Sequence, residues 1–151
     1  RMNIIPVSLA LTQSAIETGW GTSRFAQDGN ALFGQWTWND ASGIVPLGRE
    51  VGATHSIKRF NDLISAVEGY SLNLNTHSAY QDFRTERAKF SRNKIIVVDK
   101  DLLFTLLYYS ELGFAYIDSL TNIIGANNLR SFDNVKLQKT AYQKLKLSPI
   151  P

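Results

Sequence analysis

A chain of 151 residues, 44% hydrophobic and 19% charged, has the length and make-up of one globular domain, which excludes a disordered chain. The lack of cysteine excludes disulfides and thiolate metal sites and leaves the redox compartment open. A net charge of +3, with a sequence pI near 9.2, favours anionic partners. It is too small to choose among nucleic acid, acidic polymer and membrane surface, and a solvated basic face explains it as simply.

The chain opens "RMNIIPVS", with Met2 in second place and a helix start almost at once. No run of about 18 apolar residues occurs, so no transmembrane helix is expected. No export signal is visible, and the opening is expected to be that of a trimmed or mature fragment. Pro6 suits the first turn of a helix, which runs to Thr18 and stops at Gly19. Ile5, Leu9 and Ile16 share one face of it, and Val7, Leu11 and Ala15 share another. The pattern predicts a central helix buried most of the way round. Gln13 and Glu17, four apart, form a narrow polar row between the two faces.

Residues 22–33 read as a short helical turn and a loop, with Thr22 or Ser23 as cap. "GQWTW" (34–38) reads as a strand with Trp36 and Trp38 on one side. Residues 39–50 are rich in turn formers, and 51–60 return as a second strand. Together they predict a β-hairpin or small β-lobe inserted between helices. A helix is expected at 62–75, where Leu63, Val67, Tyr70 and Leu74 repeat at helical spacing. A charged amphipathic helix follows at 79–91. "DLLFTLLYYS" (101–110) predicts a buried helix. Residues 113–128 predict a further helix after the Gly113 break, with Tyr116, Leu120, Ile123 and Ile124 in helical spacing. The Lys-rich tail, 132–151, is expected to be only partly ordered. The fold class is α+β: a mainly helical body with a small β-lobe, in a single domain over 1–151.

Glu17 is the sharpest chemical feature. It is the sole charged residue between Met2 and Ser23. A carboxylate in apolar surroundings is costly unless it is paired, neutralised or used, and burial raises its pKa. A carboxyl kept protonated near neutral pH is what a general acid requires. The structural alternative is that Glu17 pairs with Arg24 or bonds a nearby helix N-terminus; composition leaves both readings open. Gly19 and Gly21 around Trp20 permit a tight turn, or simply cap the helix. Trp20, Trp36 and Trp38, with Phe33 and the tyrosines, suit either a sugar-stacking cleft or a core. Asp40 and Glu50 are candidates for a second carboxylate, since glycoside hydrolysis commonly uses a pair. His55 and His77 stand apart with no zinc-ligand pattern. Triad-hydrolase, nucleotide-phosphate and dinucleotide motifs are absent from the sequence.

The stretch "LALTQSAIETGWGTSRFAQDGNALFGQWTW" resembles the signature of bacterial peptidoglycan glucosaminidases of the glycoside hydrolase family 73 type. "REVGATHSIKRF", "LNTHSAYQDFR" and "YYSELGFAYIDSLTNIIGANNL" are similar to blocks of its Bax-like branch. The resemblance covers about residues 6–129 and implies a lysozyme-like fold. It places Glu17 at the catalytic acid, at the end of the first long helix. It places Asn30, Phe33 and Gly34 in an Asn-x-Leu-Phe-Gly block beside the cleft, with Ala31 where many members have a second Asn. It places Tyr116 at a tyrosine near the cleaved sugar. A second acid would come from the β-lobe, with Glu50 the first choice and Asp40 behind it.

The resemblance therefore implies a cell-wall hydrolase that cleaves the β-1,4 bond after N-acetylglucosamine. Glu17, Glu50 and Tyr116 would be catalytic. Gln13, Trp20, Asn30, Phe33, Gly34, Trp36 and Trp38 would bind substrate. No cofactor or metal is expected. The expected partner is the peptidoglycan strand, not nucleic acid; the expected state is a monomer, and the expected place is the periplasm or cell envelope. Two alternatives stand beside it. One is a lytic transglycosylase yielding a 1,6-anhydro product, against which the lack of a Gly-Leu-Met-Gln block counts. The other is a non-catalytic glycan-binding domain.

Overall fold

The first helix, α1 (Val7–Thr18), starts after Pro6, whose φ of −55° and accepting carbonyl begin the hydrogen-bond ladder at Ala10. It stops where the sequence predicts. Gly19 adopts φ 55°, and its N–H and that of Trp20 return to the carbonyls of Ile16 and Ala15. The structure is a computed structural model, and it describes residues 2–91 and 98–136. Most of the Lys-rich tail thus lies outside the described residues.

The burial of α1 differs from the expectation. Its inner face is Ser8, Leu9, Thr12 and Gln13, while Val7 and Leu11 are exposed. The reason is that its partners, α6 (Phe114–Ala126) and the 3-10 turn Leu129–Phe132, cover one side only. The buried polar groups are bonded: Thr12 Oγ1 donates to the Ser8 carbonyl at 2.7 Å.

Pro6 leaves α1 without a local side-chain cap, and Asp133 supplies one from the far end of the chain. Its carboxylate accepts from the Ser8 N–H at 2.7 Å and from Ser8 Oγ at 2.8 Å. A carboxylate against a helix N-terminus satisfies an orphan donor and complements the dipole. Asp133→Ala is expected to lower stability by about 0.5–2 kcal/mol. A lower denaturant midpoint at unchanged m-value would show it, and an unmoved midpoint would deny the cap its role.

Ser23 caps α2 (Arg24–Gly29), accepting from the Ala26 N–H, and Asn30 ends it in the left-handed conformation. The β-lobe pairs the two expected stretches, but as short strands. β1 (Trp36–Thr37) runs antiparallel to β3 (Ser56–Lys58), with Trp36 opposite Ile57. The structure adds β2 (Gly43–Ile44), from the stretch read as turns, on the other edge of β3. A two-residue strand carries too little alternation to show in sequence.

Asp62 caps α3 (Leu63–Thr76) by accepting from the Ser65 N–H at 2.7 Å. Its inward face is Ala66, Tyr70 and Leu74, while Leu63 and Val67 of the expected apolar row are exposed. A 3-10 turn, Ser78–Tyr80, leads into α4 (Gln81–Ser91), which buries Phe83 and Arg87 four apart. The predicted helix over 101–110 is cut short. α5 spans Lys100–Phe104, and 105–113 continue as turns. Leu102, Leu103 and Leu106 are buried as expected, whereas Phe104 and Tyr108 face solvent. In α6 the inward row is Tyr116, Ile117, Leu120 and Ile124.

The core joins Leu9, Phe33, Tyr70, Leu74 and Phe83 to Leu102, Leu103, Leu106 and the α6 row. The result is the α+β, mainly helical body with a small β-lobe read from the sequence. Among the described residues no helix is long and apolar enough to cross a membrane.

Candidate active site

Three consecutive left-handed residues follow α1: Gly19, Trp20 and Gly21, at φ 55°, 60° and 79°. Thr18 ties the turn back to the helix. Its Oγ1 accepts from the Gly21 N–H at 2.8 Å and donates to the Ser14 carbonyl at 2.6 Å. Thr22 Oγ1 donates to the Gly19 carbonyl. This turn ends α1 directly after Glu17 and holds the last helical turn in place. Trp20 itself is 64% exposed.

Glu17 is half-buried, and burial raises its pKa. Among the described residues its carboxylate forms no ion pair and no hydrogen bond. Arg24, the partner considered from sequence, donates instead to the Val45 carbonyl at 2.8 Å. The groups whose charge or dipole couples to Glu17 are the hydroxyls of Tyr80, Tyr109 and Tyr116. Each has its own pKa raised, chiefly by burial, with the nearby carboxylate adding to the effect.

Gly34 closes one side. It adopts φ 61°, and a Cβ built there would stand 3.0 Å from Glu17 Oε2. Glycine is therefore required twice, by the backbone angle and by the space the carboxylate occupies. Its neighbour Phe33 is buried, stacks on Tyr70 at 3.9 Å between ring centroids, and accepts from Tyr109 Oη through its carbonyl at 3.3 Å. Tyr109 in turn lies parallel to Tyr116, with centroids 5.8 Å apart. The "NALFG" block and Tyr109 are so brought to the acid.

Gln13, one turn before Glu17, is fully buried and has both amide ends engaged. Tyr70 Oη donates to its Oε1 at 2.6 Å, and its Nε2 donates to Tyr116 Oη at 2.8 Å. Asn30 spends its side-chain N–H on the Phe60 carbonyl at 3.1 Å and so anchors α2 to the end of the β-lobe. Gln13, Asn30 and Phe33 are thus held by the protein's own groups.

Trp36 and Trp38 stand exposed and edge-to-face, 6.5 Å apart. His55 stacks beneath Trp36 at 4.3 Å. Glu50 lies exposed in the loop between β2 and β3, its carbonyl bonded to the Ala53 N–H. No bond among the described residues connects it to Glu17. Asp40 begins the 3-10 turn Asp40–Ser42. Among the described residues no three His, Asp or Glu side chains converge to hold a metal ion.

Sequence reasoning did not single out Tyr70, Tyr80, Tyr109 or His55 for the site. Tyr70 sits in a helical apolar row, where a tyrosine reads as core. A faint signal existed: Tyr70 would bury a hydroxyl, and buried hydroxyls need partners.

One arrangement emerges: a half-buried carboxylic acid, unpaired among the described residues and backed by tyrosines, with exposed tryptophans on an adjoining lobe. The family model described as mannosyl-glycoprotein endo-beta-N-acetylglucosaminidase matches residues 1–129. Protein bax of Escherichia coli (strain K12) is 34% identical over 116 residues, covering 77% of this chain and 40% of that protein. The chain thus spans well under half the length of the curated relative it matches. No solved structure matches it. With the family model spanning nearly the whole chain, this protein belongs to the glucosaminidase family.

Proposed function

We propose that the domain hydrolyses the β-1,4 bond after N-acetylglucosamine in peptidoglycan, with Glu17 as general acid. The observation that carries this reading is the Glu17 carboxyl itself, half-buried, without a counter-ion among the described residues and with its pKa raised. Glu17 donates its proton to the glycosidic oxygen as the bond from that oxygen to the anomeric carbon breaks. The resulting carboxylate then takes a proton from the water that completes hydrolysis.

The electron pair that replaces the leaving oxygen has two sources. Glu50 is one, acting directly or through water. The carbonyl oxygen of the sugar's own 2-acetamido group is the other, a recognised exception to the two-carboxylate scheme. Glu50 sits on an exposed loop, unconnected to Glu17, and this supports the acetamido route. The coupling of Tyr116 to Glu17 supports a role for it beside the reacting centre. An extracytoplasmic setting, periplasm or cell envelope, follows from the substrate.

Mass spectrometry of fragments released from purified peptidoglycan tests the reading. Reducing N-acetylglucosamine ends are expected. Fragments ending in 1,6-anhydro-muramic acid would show a transglycosylase instead, and saturable binding without release would show a glycan-binding domain.

Trp36 and Trp38 supply stacking faces for pyranose rings, and His55 occupies one face of Trp36. A stacked aromatic pair is worth about 0.5–1.5 kcal/mol. His55→Ala is therefore expected to raise KM about 2–10-fold at unchanged kcat. Steady-state kinetics on soluble glycan fragments reads the split, and a fall in kcat alone would count against a stacking role.

A further inference from the structure

Within the reading of Glu17 as the acid, on which this step rests, the buried hydrogen-bond chain behind it has a direction. Tyr70 is 1% exposed and its ring is stacked on Phe33, so its hydroxyl is enclosed. The acceptor it reaches among the described residues is Gln13 Oε1, at 2.6 Å. A buried hydroxyl that fails to donate is costly, and an amide oxygen can only accept. Tyr70 therefore donates, and this fixes which way the Gln13 amide faces. Gln13 Nε2, which can only donate, then donates to Tyr116 Oη at 2.8 Å.

Tyr116 Oη is thus used as an acceptor. Its own O–H is not consumed by the chain and is left to donate outward. Tyr116 is coupled to Glu17, which stands one helical turn from Gln13 on α1. We propose that Tyr70 and Gln13 are positioning residues whose fixed polarity makes the Tyr116 hydroxyl a donor on the Glu17 side of the site. A donor there favours the carboxylate form of Glu17, the form created when the proton passes to the leaving oxygen. The interaction grows as the proton moves, so it lowers the barrier more than it strengthens sugar binding. Gln13 on this account touches no substrate. The reversed amide, with Tyr116 donating inward, would turn the same hydroxyl away from the acid.

Among the described residues, the titratable groups coupled to Glu17 are Tyr80, which precedes α4, Tyr109 in the loop after α5, and Tyr116 on α6. None of the three is cationic, so a change in the Tyr116 donor registers in the Glu17 titration. Tyr70→Phe keeps the ring stack and deletes only the hydroxyl. It frees the amide to reverse. Its kcat is expected to fall about tenfold, the worth of one hydrogen bond, at unchanged KM. The alkaline limb of its pH–rate profile is expected to move up, because the acid has lost a group that favours ionisation.

The decisive readout needs no substrate. Carbon-13 NMR titration of the Glu17 carboxyl is expected to give a higher midpoint in Tyr70→Phe and in Tyr116→Phe than in the parent. Gln13→Met, of similar volume and with no amide, is expected to shift it in the same direction and serves if Tyr70→Phe fails to fold. An unmoved midpoint in the folded variants overturns the relay. So does a kcat loss that tracks lost stability with an unchanged pH profile. A parent that cleaves no glycan, with a midpoint that still moves in Tyr70→Phe, overturns the hydrolase reading and leaves the relay standing.

Discussion

Glu17→Gln is expected to slow glycan cleavage by about 10²–10⁴-fold, the usual worth of a positioned general acid, while making the protein more stable at neutral pH. The two effects have one cause. Burial raises the Glu17 pKa, with no cation among the described residues to offset it. The folded protein therefore holds this proton more tightly than the unfolded chain does. The stability contributed by the neutral carboxyl is complete below the unfolded pKa and is lost as pH rises through the raised folded value. Glutamine keeps the shape and is neutral throughout, so it retains in neutral solution what the carboxylate forfeits. The gain should shrink as pH falls and vanish in acid, where Glu17 is protonated in both states. Denaturation midpoints of parent and variant across pH, beside their rates on purified peptidoglycan, check both halves. A variant that digests peptidoglycan as fast as the parent removes Glu17 from the chemistry. A variant no more stable at neutral pH shows that the carboxylate is adequately solvated where it stands.

Gly34→Ala is expected to be the most damaging small change outside the acid itself. The residue sits at φ 61°, where an L side chain costs about 1–2 kcal/mol. The added Cβ also arrives 3.0 Å from Glu17 Oε2, so the carboxylate must move. Displacing a reacting group by a fraction of its own width costs on the order of 10–100-fold in rate. Gly52→Ala separates the two effects. Gly52 has φ 90° and nothing within 4 Å of a built Cβ. It should lose comparable stability and leave Glu17 in place. Calorimetry and kcat measured together decide. If the two variants lose activity in the same proportion to stability, the contact between position 34 and the acid carries no special weight.

The helical framework was legible because its signals are local. Pro6, Gly19, Ser23 and Gly113 mark the element ends that the structure shows. The faces were less legible. Leu11, Leu63 and Val67 follow the helical period and yet meet solvent, because neighbours cover only one side of α1 and α3. Periodicity says that a stripe exists; packing decides which stripe is inside. The helix expected through 101–110 ended at Phe104 because a strongly apolar run fixes burial more firmly than it fixes conformation.

For the site, Glu17 stood out in the sequence because a lone charge in an apolar stretch is anomalous without any knowledge of its surroundings. Gly34 was placed beside the cleft by resemblance, and the structure sets it against the acid in one steric contact. Tyr70, Tyr80 and Tyr109 could not be separated from core aromatics, since a hydroxyl's partner is invisible along the chain.

What the sequence by itself determined is the order of the main helices and the place of the β-lobe among them, the family to which they belong and the single acid at the end of α1. These depend on residue type and short-range spacing. The tertiary structure alone decided that Arg24 turns away from that acid, that Asp133 caps the helix bearing it, and that Gln13 faces two tyrosines. Each depends on which distant groups meet, and for a hydrogen bond or an ion pair an ångström of separation decides whether the interaction exists.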